Sequence, residues 1–149
     1  MLRVSKLTDY ATVVMSCLAD AEAGFASAQQ LADDARLELP TVSKLLKQLA
    51  HAGLVVSQRG ASGGYRLARR AERITVADIV VAMEGPIGMT ECGAQPGLCD
   101  RERHCGVRVN WQQINRAIAS ALDSVTLADL TLAGKPRRQA AIPLRVASA

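Results

Sequence analysis

Aromatic residues are scarce in this chain: Tyr10, Phe25, Tyr65 and Trp111 are its only rings in 149 residues. The apolar half of the composition is mostly Ala, Leu and Val, which argues against an all-β sandwich and favours packed helices. Long apolar runs are missing too, and none approaches the roughly 20 residues that a membrane-spanning helix needs. The opening segment Met1-Leu2-Arg3-Val4-Ser5-Lys6 reaches Thr8 and Asp9 before any apolar stretch, so no secretory leader is expected. A Gly-Lys-Ser/Thr nucleotide loop is absent, and no nucleophile–base–orienter set stands out, which argues against an enzyme. The expectation is one soluble domain of a reducing cytoplasm, where cysteines serve more often as ligands or redox sensors than as disulfides.

Acidic residues are unevenly missing. The net charge of +4 divides into +3 over residues 1–73, −3 over 74–134 and +4 over 135–149, where no acid occurs. Residues 36–73 alone carry eight Lys/Arg against Glu38 and Glu72. A basic segment beside an acidic one suits a polyanion-binding lobe joined to a different module. The expected organisation is therefore a DNA-binding region over 1–73, a cysteine loop and dimerisation helix over 74–132, and a basic disordered tail over 133–149.

Periodicity supplies the elements. Residues 6–23 place Tyr10, Val13, Val14, Cys17 and Leu18 on one helical face, with Gly24 as the stop. Ser27 and Gln30 form a capping-box pattern ahead of Leu31 and Ala32. Pro40 suits the first turn of a third helix carrying Leu45, Leu46 and Leu49, which runs to about His51 and ends at Gly53. Residues 54–58 and 65–68 then read as strands around the glycine-rich turn 59–64. Three helices and a hairpin predict a mainly α fold with a small β-hairpin: a winged helix-turn-helix followed by a long dimerisation helix. Thr75 with Asp78 starts a fourth helix that stops at Gly85-Pro86. Val107, Trp111, Ile114, Ile118, Ala121 and Val125 then follow in steps of three and four, as in a helix–helix seam.

Two sets of residues carry candidate chemistry. Thr41, Ser43, Lys44 and Lys47 occupy the polar side of the third helix, where they can meet base edges or phosphates of double-stranded DNA. Arg59, Gly60 and Ser62 stand in the hairpin turn, where a guanidinium can reach phosphate or a narrow minor groove. Cys92, Cys99 and Cys105 are spaced C-x6-C-x5-C. Such gaps are wider than the usual zinc pairs and point towards an iron–sulfur cluster, with a disulfide switch as the alternative. Asp9 and His104 are candidate fourth ligands. His51 reads as a cap or phosphate contact, and Cys17 as a core residue.

The pattern resembles the IscR/NsrR family of winged-helix iron–sulfur transcriptional regulators, the Rrf-two superfamily, over about residues 1–132. The matching residues are Ser5-Lys6-Leu7-Thr8-Asp9-Tyr10, Gly53-Leu54-Val55, Arg59-Gly60-x-x-Gly63-Gly64-Tyr65, the three loop cysteines and Thr126-Leu127-Ala128-Asp129-Leu130. Pro40-Thr41-Val42-Ser43-Lys44, Glu84-Gly85-Pro86, Met89-Thr90-Glu91-Cys92 and Cys105-Gly106-Val107-Arg108 are most similar to members that regulate SUF iron–sulfur assembly genes. The resemblance implies a homodimer that binds operator DNA, represses assembly genes and carries a two-iron or four-iron cluster in each subunit. It assigns Cys92, Cys99 and Cys105 as ligands, and Asp9 matches the fourth ligand that NsrR-type members take from the partner subunit. IscR-type members use a histidine three residues after the last cysteine; here Arg108 stands there, and the first cysteine gap is one residue longer. A nitric-oxide-sensing repressor of the NsrR kind is the alternative. A small iron–sulfur or thiol redox carrier is the alternative of another class.

Overall fold

The computed structural model describes residues 3–21, 24–60 and 63–132. Helix α1 (Lys6–Ala19) opens on Ser5, whose hydroxyl accepts from the Thr8 N–H at 3.2 Å. The helix stops four residues short of the expected Ala23. The chain leaves it early because Ala26 pairs with Tyr65 through two backbone bonds of 2.9 and 2.8 Å, which adds a rung beside the hairpin. That approach needs Gly64, since a Cβ there would stand 2.7 Å from the Ala26 carbonyl oxygen.

Helix α2 (Ala28–Ala35) has the expected capping box: Gln30 N–H donates to the Ser27 hydroxyl, and Ser27 N–H donates to Gln30 Oε1. The turn into α3 (Leu39–His51) passes through Arg36, which holds a left-handed conformation at φ 53°. Val42, Leu45, Leu46 and Leu49 point from α3 into the core and are fully buried. At about 1.5–3 kcal/mol for each large apolar side chain, this face fixes α3 against α1 and α2 and leaves its polar face outward.

Strands β1 (Val55–Gln58) and β2 (Gly64–Leu67) pair antiparallel, with Val55 opposite Leu67 and Gln58 opposite Gly64. Helix α4 (Val76–Glu84) begins with the Thr75–Asp78 capping box. A short helix α5 (Glu91–Ala94) and a 3₁₀ turn at Glu102–His104 lie in the loop that leads to α6 (Arg108–Asp123).

The long helix ends sooner than its apolar stripe suggests. Val107 stands at its N-cap and Val125 beyond its end, where the Val125 carbonyl accepts from Val76 N–H at 2.9 Å. A new helix, α7 (Leu127–Leu132), starts because Thr126 and Asp129 cap it reciprocally. Leu127 N–H donates to the Ile74 carbonyl at 2.7 Å, and the Leu127 side chain is fully buried beside α1. Ile74, Ile79 and Leu127 therefore share one core with α1, α2 and α3 across residue 73. No helix among the described residues is long and apolar enough to cross a membrane.

Candidate DNA interface and cysteine loop

The first site is built on α3 and the hairpin. The inward pull of the leucines leaves Ser43, Lys44 and Lys47 exposed on the outer side of α3, with Thr41 half-buried beside them. Arg59 and Gly60 are exposed at the hairpin turn, and Gly60 takes φ 118°. Ser62 lies outside the described residues. Not every cation of the basic segment is free to meet a ligand. Arg69 pairs with Asp78 at 3.3 Å and Arg70 with Glu72 at 3.4 Å. Arg66 lies over the Phe25 ring, 5.3 Å from its centroid. Arg36, Lys44, Lys47, Arg59 and Arg73 remain without an ion pair among the described residues. Of these, Lys44 and Lys47 are exposed on α3 and Arg59 is exposed at the hairpin turn. His51 is exposed in the last turn of α3.

The second site is the segment from Gly85 to Val107. Cys92 sits on α5 and is 7% exposed, with its sulfur 3.4 Å from the Thr90 hydroxyl. Cys99 and Cys105 are half-buried on either side of the 3₁₀ turn. Glu102 holds this end of the loop together. One carboxylate oxygen accepts from Gly97 N–H at 2.6 Å and the other pairs with the Arg108 guanidinium at 2.5 Å. The side chain at the position of the IscR-type histidine is thus committed to a carboxylate. A shallow cavity of about 470 Å³ opens beside Cys99, Glu102 and Arg108.

The structure does not bring the three thiols together: no group of three or more His, Cys, Asp or Glu among the described residues is gathered closely enough to hold a metal ion. The donor chemistry still suits an iron–sulfur centre, because three soft sulfur ligands share one loop. Closing the set requires the loop to move. Asp9 is exposed in the first turn of α1, and His104 is exposed in the 3₁₀ turn. Cys17 is half-buried against the core as expected. Burial pushes its thiol up from the ordinary value, and Asp34 and Asp20 add to the shift.

Of the expected seam, Val107 and Ile114 are 55% and 43% exposed, Ala121 is exposed, and Trp111, Ile118 and Val125 are half-buried. The outer side of α6 therefore finds little cover within its own chain. Sequence reasoning missed two polar anchors. Glu84 Oε1 accepts from Ser5 N–H at 2.7 Å and from the Thr8 hydroxyl at 2.5 Å, joining α4 to the start of α1. Asn115 Oδ1 accepts from Met89 N–H at 2.8 Å, joining α6 to the cysteine segment. All three bonds span more than 20 residues, and no local pattern announces them.

Comparison with known proteins gives a consistent picture. The family model described as Rrf2, iron-dependent transcriptional regulator, matches residues 4–133. Protein rrf2 of Nitratidesulfovibrio vulgaris is 36% identical over 104 residues, covering 70% of this chain and 69% of that protein. The structure of IscR from T. potens is similar at 31% identity with a TM-score of 0.69, covering 94% of this chain and 93% of that one. CymR, titled the global cysteine regulator of B. subtilis, is similar at 34% identity and a TM-score of 0.68, covering 88% and 97%.

Proposed function

Because the chain belongs to the Rrf2 family of winged-helix transcriptional regulators, we propose that it is a homodimeric repressor of iron–sulfur assembly genes that reads cluster supply through Cys92, Cys99 and Cys105. Its family is one of regulators and not of enzymes. The observation that carries the reading is the adjacency of parts. One loop holds all three thiols, packs through α5 onto α6, and begins at Glu84, the residue bonded to the start of α1.

Operator binding uses complementary contacts. Thr41 and Ser43 read base edges, while Lys44, Lys47 and Arg59 neutralise phosphates and set the register of α3 in the major groove. Two copies joined through Val107, Trp111, Ile114, Ile118 and Ala121 present two recognition helices to a partly palindromic site. When bound, a two-iron or four-iron cluster supplies a labile cross-link among thiolates. Cys92, Cys99 and Cys105 are its holders in this chain, with Asp9 from the partner subunit as fourth donor. Ligation by these residues would fix residues 86–105, which Glu84 joins to the start of α1 and Asn115 joins to α6, the two links through which the placement of the α3 helices could be biased.

Anaerobic purification tests the sensing part. The protein is expected to be coloured and to contain iron and sulfide, with the visible absorption lost on Cys92, Cys99 or Cys105→Ala. Colourless protein holding stoichiometric zinc overturns the cluster reading. The exposed Asp9 also favours a second reading, a nitric-oxide-sensing repressor of the NsrR kind. Rapid nitrosylation of the centre, with operators at nitric-oxide detoxification genes, would select it.

A further inference from the structure

Helix α6 has sixteen residues, and the only one of them that is buried is polar. Asn115 is 5% exposed, while its neighbour Ile114 faces solvent. Apolar packing alone would have placed an aliphatic residue there, because a buried amide is costly unless its polar atoms are bonded. The amide instead makes a directed contact, accepting the Met89 N–H one residue before the Thr90 cap of α5. Gly93 of α5 lies directly against the same side chain, and a Cβ at Gly93 would overlap Asn115 Nδ2 and come within 3.1 Å of the Thr90 hydroxyl. That hydroxyl in turn contacts the Cys92 sulfur.

We propose that Asn115 is a positioning residue that seats the Cys92-bearing helix α5 on α6, with Gly93 as the surface it seats against. The side chain serves the first cysteine of the loop and the dimer helix at once. Asn115 stands one position from Ile114 and three from Ile118, so a displacement of α5 reaches the seam at its middle. The joint is also built to release. Asn115 Nδ2 is buried without a hydrogen-bond partner among the described residues, so its lost hydration is not offset by a bond. An amide with both of its polar atoms satisfied would hold α5 more firmly. The seating follows from geometry alone; its regulatory consequence rests on the function proposed above.

The test uses full-length, fully reduced protein and N-ethylmaleimide, with the alkylation rate of each cysteine read by peptide mass spectrometry. In the unaltered protein Cys92 is expected to react about tenfold more slowly than Cys99 and Cys105. In Asn115→Leu and in Gly93→Ala, two independent ways of unseating α5, the Cys92 rate is expected to approach theirs while Cys17, inside the DNA-binding half, keeps its rate. A Cys92 that stays protected in both variants overturns the proposal. So does a parallel rise at Cys17, which would mean general unfolding. A second readout separates positioning from mere packing: the ratio of operator Kd between cluster-loaded and cluster-free protein should fall towards one in both variants, with the cluster-free Kd changed less than twofold. An unchanged ratio counts against coupling. If the unaltered protein binds no cluster but protects Cys92 as described, the sensing function fails and the seat stands.

Discussion

Glu84 shows how much a single side chain can connect. Its carboxylate accepts from the Thr8 hydroxyl and the Ser5 N–H, and these bonds hold it below the ordinary glutamate value of 4.5. A group whose folded pKa is lowered adds stability that is fully present above its unfolded pKa and lost as pH falls through the folded one. Glu84→Gln should therefore destabilise the protein at neutral pH, by less than a buried pair would because the carboxylate is largely exposed. The deficit should shrink as pH drops below 4.5. Urea unfolding at several pH values checks this, and a deficit independent of pH would refute the charged bond as its cause. Arg36 carries local backbone strain. A non-glycine residue in the left-handed region costs about 1 kcal/mol, so Arg36→Gly should raise the unfolding midpoint. Neither feature was legible in the sequence. Glu84 finds partners nearly 80 residues away, and nothing in the residues around Arg36 announces φ 53° there.

At the scale of elements, the caps were readable because they are local. Ser27 with Gln30 and Thr75 with Asp78 form their bonds inside one turn, so spacing alone announces them. The same spacing rule finds the buried face of α3 and, by subtraction, the outward polar residues proposed to contact DNA. Arg59→Ala or Lys44→Ala should weaken operator binding across sequences and lower the slope of log K against log salt by about 1. Thr41→Ala and Ser43→Ala should mainly relax sequence preference. Fluorescence anisotropy at several salt concentrations, with matched and altered operators, measures both effects, and uniform indifference of all four variants would reject this face. For α6, Ile114→Glu places a charge on an exposed apolar position and should shift sedimentation from dimer to monomer. A persistent dimer would move the seam elsewhere. The stripe itself was visible in the sequence, but its last member was misplaced: Val125 belongs to the turn that returns the chain to Val76.

For the whole molecule, closure depends on α7. Leu127 is fully buried in the core formed by α1, α3 and α4, although it stands more than 50 residues beyond the hairpin. Leu127→Ala should cost about 2–5 kcal/mol and lower the melting temperature of residues 3–73 and of residues 74–132 together. Two separate transitions would show that the halves fold independently. By itself the sequence determined the helical fold with its hairpin, the polar face of α3, the charge asymmetry and the three-thiol loop. Each of these follows from composition, from a period of 3.6 or 2, or from spacing within a few residues. Tertiary structure decided where α6 ends, that α7 joins the first core, that Arg108 is taken up by Glu102, and that Asn115 carries α5. Those outcomes depend on which distant groups meet in space. A buried amide or carboxylate is placed by the partner that satisfies it, and that partner has no fixed offset along the chain.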